Sequence, residues 1–424
     1  MKRLAAIALS TIALTATLVA QRAVAPAKPL EIYVVDTEGG KAALWVSPSG
    51  QSLLIDSGNP GARDLERIMA AVNDAGLKQI DYLLSTHYHG DHVGGMQELA
   101  KRIPIGHFID HGPSVEEREH VQGFQAAYAE LYGKAKHTVV KPGDKVPITG
   151  LDWRIVTSGG SVLKTPLPGG GKPNPACAGL TPKDVNMLDE NAHSVGSVVT
   201  FGQFRAIDLG DLLWGKEFEL VCPNNPVGTV DVFFVTHHGL DQSVSPALVH
   251  GLLPRVAIMQ NGTRKGAGTE AMPTMRKSPG LEDIWQLHWS HTAGIDQNSA
   301  GVFIANVDDA ATIANVLTAP PRGGGPGGGG RAAGAPAPAA PGNAPPPQTP
   351  PAAGAAAPPA GAPPQAGGAA APGAAGGPGG GRGAAAAAAA HTPAYWIKTS
   401  VQPNGTFTVT NSRNGFSKTY VKRR

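Results

Sequence analysis

The order of apolar and polar positions in the first part of the chain predicts several short strands. Residues 31–36, 42–47 and 51–56 are β-prone runs separated by Gly and Pro-Ser-Gly turns. Strands spaced this closely form an antiparallel meander. A fourth apolar, β-prone run covers residues 79–85 and predicts another strand.

A helical period separates the third and fourth of these strands. Over residues 64–75, Leu65, Ile68 and Val72 recur at the spacing of one helix face, and Gly76 closes the segment. We therefore expect an amphipathic helix that covers one face of a sheet.

Further strands are predicted downstream, and they alternate with less regular segments. They cover residues 153–157, 195–201, 204–209, 230–236 and 256–260. A Gly-Gln pair between the second and third of them predicts a hairpin. Together with the predicted helix at 64–75, these strands are consistent with the α/β class.

The densest cluster of metal-binding side chains directly follows the predicted strand at 79–85. His87, His89, Asp91 and His92 fall within six consecutive positions. Imidazole nitrogens and carboxylate oxygens are the usual donors for zinc, and they also suit iron and manganese. The alternative is a polar surface loop that carries these histidines by chance.

The pattern His-x-His-x-Asp-His after a strand resembles the signature of the metallo-β-lactamase superfamily. Two other segments resemble this family, and the resemblance extends over residues 30–265. Asp56, at the end of an apolar run, matches an aspartate that braces the metal loop, and Asp211 after Gly210 matches a carboxylate that bridges two metals. The segment 34–40 matches the family's first loop only in part.

The last ligand motif has a double-histidine form. Thr236-His237-His238-Gly239 is similar to the motif of competence-type DNA-uptake proteins and phosphorylcholine esterases. The resemblance favours His238 as the ligand and His237 as a catalytic phosphate contact or proton donor. The reverse assignment stays open.

The resemblance implies a complete ligand set for two divalent ions. One ion would be held by His87, His89 and His193, the other by Asp91, His92 and His238, and Asp211 would lie between them. Asp91 would also orient the nucleophile. His193 has an alternative role, as a residue that supports a ligand or contacts the substrate.

The fold and activity implied by this resemblance are a four-layer αββα sandwich and a metal-dependent hydrolase. A metal-bound hydroxide would attack a phosphodiester or another ester. The alternatives are lactonase or β-lactamase activity, and a binding protein that holds metal without turnover. The formal net charge of +3 gives no support for nucleic acid as a partner, and the sequence leaves the oligomeric state open.

Composition divides the chain into four expected parts. Residues 1–25 have the charged start, apolar core and small-residue end of a secretory signal peptide, although an uncleaved membrane anchor is the alternative. Residues 26–318 would form the hydrolase domain. Residues 319–390 hold most of the excess of Gly and Pro and predict a disordered insertion. Residues 391–424 predict a β-hairpin that returns to the main domain or forms a surface-attachment module.

A signal peptide implies a periplasmic or secreted protein with no membrane span after cleavage. Cys177 and Cys222 could pair in such an oxidising compartment, but the sequence does not decide whether they do. The long segment 158–189 lacks clear periodicity and is either a substrate-facing loop or an ordinary surface excursion.

Overall fold

The computed structural model describes residues 28–291, 297–307 and 394–422. Within these ranges, two large sheets pack face to face and helices cover both outer faces. This is a four-layer αββα sandwich, so the expected fold class is confirmed. The expected signal peptide (1–25) and insertion (319–390) lie outside the described residues.

The first part of the chain builds most of one sheet and its helices. Its elements are β1 (Leu30–Val34), β2 (Ala43–Val46), β3 (Ser52–Ile55), α1 (Ala62–Asp74), β4 (Tyr82–Leu84), α2 (Gly90–Val93), α3 (Met96–Arg102), β5 (His107–Asp110), α4 (Glu119–Tyr132) and β6 (Lys136–Val139). The first three strands pair antiparallel, as the meander predicts, and β3 to β6 are parallel.

The second sheet follows with its own helices. Its region contains β7 (Lys145–Val146), β8 (Asp152–Ser158), β9 (Ser161–Val162), β10 (Lys172–Pro173), β11 (Gly196–Phe201), β12 (Phe204–Asp208), α5 (Trp214–Val221), β13 (Asn224–Asn225), β14 (Val232–Phe234), α6 (Pro246–Leu252), β15 (Val256–Met259), α7 (Ala271–Arg276), β16 (Asp283–His288) and β17 (Ile304–Asn306). Strands β12 and β14 to β17 run parallel, whereas β10 and β13 form a separate two-stranded ribbon.

The end of the chain completes the first sheet. It forms β18 (Ile397–Val401), β19 (Phe407–Asn411) and β20 (Ser417–Tyr420), and β18 pairs antiparallel with β1. Leu30 of β1 lies opposite Val401 in this register. The predicted hairpin is therefore part of the sheet that begins with β1.

Three apolar layers hold the sandwich together. Between the sheets, the rings of Trp45 and Trp153 lie 5.1 Å apart, and Phe234 packs 5.3 Å from Trp45. Ile68 of α1 and Leu248 of α6 are buried in the two outer layers, one on each sheet. Burial of large side chains on both faces explains why the central parallel strands carry almost continuous apolar runs.

A covalent bond attaches the segment 158–189 to the end of α5. Cys177 and Cys222, whose pairing the sequence left open, form a disulfide. Asn174 donates hydrogen bonds to the carbonyls of Val221 and Ala247, so the same stretch is also held by α5 and α6. Among the described helices, none combines the length and the apolar character that crossing a membrane requires.

Candidate metal centre

The candidate site lies where parallel strands of both sheets end. Residues 85–92 follow β4, Asp211 follows β12, and His238 follows β14. The loops approach closely at Gly210, where φ is +60° and a Cβ would lie 2.9 Å from the Cβ of Thr86. Glycine is required there because a side chain would force the loops apart.

Four donor atoms from these loops converge on one point. The Oδ2 of Asp211 lies 3.2 Å from Nε2 of His92 and 3.1 Å from Nε2 of His238. The Oδ2 of Asp91 lies 3.5 Å from each of the same two nitrogens. Two imidazoles and two carboxylates therefore surround a space of the size that a single dication needs.

Hydrogen bonds behind the rings orient the two histidines. Nδ1 of His238 lies 2.9 Å from the carbonyl oxygen of Gln260, which can only accept, so Nδ1 carries the proton. In the neutral ring, the lone pair of Nε2 then faces the carboxylates. Nδ1 of His92 lies 2.8 Å from Oδ2 of Asp56, a carboxylate that supports a ligand in the same way.

Asp56 also fixes the loop that carries His92. Its Oδ1 accepts the backbone N–H of Thr86 at 2.7 Å, and its Oδ2 accepts the Thr86 hydroxyl at 2.7 Å. Asp56 itself has a φ of +58°, an unusual conformation for a residue with a Cβ. The backbone is thus held in a strained state that aims the carboxylate at His92.

The electrostatics of this cluster favour a bound cation. Burial would lower the pKa of His92, but Asp211, Asp91 and Asp56 outweigh burial and raise it to about 10. In addition, Oδ1 of Asp211 is buried and has no hydrogen-bond partner among the described residues. Because a buried carboxylate oxygen needs a partner, these residues fit a divalent ion.

His87 and His89 form a second pair of facing nitrogens. Nε2 of His87 lies 3.1 Å from Nδ1 of His89, and the rings of His87 and His92 are 4.1 Å apart. Nε2 of His89 lies 3.1 Å from Oε1 of Glu116 and 3.0 Å from Nη2 of Arg118, so an acidic and a basic side chain hold the outer nitrogen of this ring while Nδ1 faces His87. A second ion would therefore lie beside the first.

His237 lies at the edge of the four-donor cluster. Its Nε2 is 3.6 Å from Oδ2 of Asp211, and its Nδ1 is 3.2 Å from the hydroxyl of Ser243. The Ser243 hydroxyl donates to the carbonyl of Leu212, so it accepts from His237. His237 is buried and both histidines have positive φ, 52° for His237 and 57° for His238. The structure thus brings His238 closer than His237 to the carboxylates.

The structure does not place His193 among the converging donors. It lies in a short 3₁₀ turn, Glu190–His193, and its Nε2 is 3.0 Å from the carbonyl oxygen of Met187. A carbonyl accepts, so this nitrogen donates its proton to Met187 and offers no lone pair to an ion. Its assignment as a ligand stays a prediction.

Several supporting residues were not anticipated from the sequence. Glu190 is fully buried and accepts the backbone N–H of Tyr88 at 3.0 Å, between the two histidines of the motif. Glu116 accepts the backbone N–H of Glu190 at 3.0 Å as well as contacting His89. No local pattern marks these two glutamates, because their partners are 27 to 102 positions away in the chain.

Parts of this chain are similar to a known protein family and to proteins of known sequence. Residues 36–176 match the model of the metallo-beta-lactamase superfamily, which includes the motif at 87–92. A competence protein ComA from Neisseria gonorrhoeae is 25% identical over 56% of this chain and 28% of its own length. A hydroxyacylglutathione hydrolase from Klebsiella pneumoniae is 28% identical over 28% of this chain and 39% of its own. The matches thus span less than half the length of either relative.

Solved structures give matches of low overall similarity. The metallo-beta-lactamase fold protein YhfI from Bacillus subtilis covers 61% of this chain and 96% of its own, with 12% identity and a TM-score of 0.37.

Proposed function

Because residues 36–176 match the metallo-beta-lactamase superfamily, we propose that this chain is a metal-dependent hydrolase that binds two divalent ions and hydrolyses a phosphodiester or another ester. The observation that carries the proposal is the convergence of Asp91, His92, Asp211 and His238, whose donor atoms all lie within 4.8 Å of one another. Asp211 and His238 lie beyond the matched region, so the fold completes a site that the family match covers only in part.

The candidate ligands form two groups, one for each ion. His92 and His238, with Asp91, would hold one ion, and the facing nitrogens of His87 and His89 would hold the other with His193 as the predicted third donor. Asp211, whose Oδ1 is buried without a partner among the described residues, would lie between the two ions. Zinc suits this mixed nitrogen and oxygen set, as do iron and manganese.

Bound dications supply a water molecule that ionises near neutral pH and a Lewis acid for the substrate oxygen. The protein positions the reactants. Asp91 lies at the outer side of the cluster, with its carboxylate a quarter exposed, where it can orient an attacking water. His237 donates its Nδ1 proton to Ser243, so its Nε2 is able to accept a proton or deliver one to a leaving group.

A periplasmic or secreted location is part of the proposal. It is supported by the signal-peptide pattern at residues 1–25 and by the disulfide between Cys177 and Cys222, a bond typical of oxidising compartments. Fractionation of cells that express the full chain tests this location, and an intact precursor in the cytosol would contradict it.

A substrate panel tests the function directly. Metal-loaded protein is assayed against bis(p-nitrophenyl) phosphate, a lactone and a β-lactam, alongside His92→Ala and the control His107→Ala. His107 lies outside the centre and contacts Thr138, so its loss should leave activity unchanged. We expect phosphodiester hydrolysis that His92→Ala abolishes. Metal binding without turnover of any substrate would instead favour a non-catalytic binding protein.

A further inference from the structure

A lysine stands between the metal centre and solvent. Nζ of Lys265 lies 2.6 Å from Oδ2 of Asp91, the same oxygen that faces Nε2 of His92 and of His238. The Lys265 side chain is 34% exposed, whereas those of His92 and His238 are almost completely buried. A substrate that approaches the two histidines from the Asp91 side therefore meets this ammonium group.

The backbone presents Lys265 at a defined place. The N–H of Gly262 donates to the carbonyl of Lys265 at 2.9 Å and closes a tight turn. Gly39 packs against this turn with a φ of +90°, and a Cβ added there would lie 3.2 Å from the Cβ of Lys265. The first loop of the chain thus supports the base of the lysine side chain.

Once ions are bound, the charges of the centre leave the Lys265 ammonium able to attract an anionic substrate. Asp56, Asp91 and Asp211 are the carboxylates that contact the two histidines. Glu116, which contacts His89, is paired with Arg118. Two divalent ions would therefore carry more positive charge than the three aspartates carry negative charge. Asp91 would then share its charge with an ion and attract Lys265 less strongly, so positive potential would face solvent at the lysine.

From this arrangement we infer that Lys265 binds an anionic oxygen of the substrate and makes the centre selective for phosphodiesters over neutral esters. A phosphodiester keeps one charged oxygen beside the phosphorus that is attacked, and a charge-assisted hydrogen bond from an ammonium suits that oxygen. A neutral carboxylic ester offers no such group. The inference rests on the proposed function and narrows its substrate class.

The kinetic test compares two substrates of different charge. Lys265→Met is assayed with bis(p-nitrophenyl) phosphate and with neutral p-nitrophenyl acetate. We expect kcat/KM for the diester to fall about 10- to 100-fold, the usual effect of losing a hydrogen bond to a charged group, and that for the acetate to change by less than about threefold. Lys265→Arg should restore part of the diester activity. Lys145→Met serves as the control, because Lys145 is an exposed lysine paired with Asp152 in the second sheet.

A binding measurement separates this inference from the proposed function. Calorimetric titration of the metal-loaded protein with inorganic phosphate should show binding that Lys265→Met weakens about tenfold or more, with metal content by mass spectrometry unchanged. Equal losses on both substrates, unchanged phosphate affinity, or loss of metal from Lys265→Met would each overturn the role of Lys265. Inactivity of the wild-type protein on both substrates would overturn the proposed hydrolase instead, while the phosphate titration would still test the lysine.

Discussion

Replacing Asp56 with asparagine should weaken metal binding without removing a metal ligand. Asp56 accepts three hydrogen bonds, two from Thr86 and one from Nδ1 of His92, at 2.7 to 2.8 Å. An asparagine has one accepting oxygen and one NH2 group. Whichever way the amide turns, its NH2 meets a donor, either the N–H of Thr86 or the N–H of His92.

The size of the effect follows from this conflict. One buried hydrogen bond to a charged group is lost and a donor faces a donor, which should lower the free energy of unfolding by about 2 kcal/mol. If the His92 ring instead changes tautomer to accept the amide N–H, its Nε2 becomes protonated and no longer offers a lone pair to an ion. Either response should lower metal affinity by about 10- to 100-fold, as for other residues that support a ligand histidine.

The assay is a competition titration with a chromophoric chelator, combined with urea unfolding. Asp110→Asn is the matched control, because Asp110 is also buried and also contacts a histidine at 2.6 Å, whereas this histidine, His137, and the N–H of Gly112, which also donates to Asp110, are not candidate ligands. The control should lose stability and keep its metal affinity. Wild-type metal affinity in Asp56→Asn would refute the reasoning about tautomer and orientation.

Three further changes test the fold and the loops around the site. Trp153→Ala should lower the free energy of unfolding by about 3 to 5 kcal/mol in urea, because this ring is fully buried between the sheets; a loss below about 1 kcal/mol would show that the core repacks. Gly40→Ala should reduce metal content measured by mass spectrometry, because its Cβ would lie 2.4 Å from the carbonyl oxygen of Asp91, and full metal content would contradict this close approach. Burial raises the pKa of Glu217 to about 7, so its contribution to stability is full below pH 4.5 and is lost as pH rises through 7. Relative to Glu217→Gln, the wild-type free energy of unfolding should therefore fall by about 3 kcal/mol across that range, and parallel pH profiles would exclude this role.

The elements of the fold that could be predicted from the sequence are those with a regular local spacing of apolar residues. The period of Leu65, Ile68 and Val72 predicted α1 to within two residues of its ends, because that stripe faces a sheet directly. Strand β14 is shorter than its predicted range, 230–236, because the chain leaves the sheet after Phe234 to enter the loop that carries His237. The turn that carries the two histidines therefore ends the strand, although the apolar run has a high β propensity.

The residues of the metal centre that lie close together in the sequence could be predicted. His87, His89, Asp91 and His92 share one short loop, so their spacing alone indicates metal binding. Glu116 and Lys265 instead reach the centre through the tertiary fold, 27 and 174 positions from the residues they contact. In the sequence, each resembles an ordinary surface charge. Contacts between residues so far apart in the chain can be recognised only from the three-dimensional structure.

The pairing of β1 with β18 has a consequence for synthesis of the protein. β1 is made before every other described strand, but its partner strand β18, which ends at Val401, is made only after all the described strands of the second sheet. Until β18 has been made, one side of β1 carries backbone groups without their final partners, and such an open edge can pair with other nascent chains. Premature stop codons before β18 should therefore yield insoluble protein even though every candidate ligand has already been made.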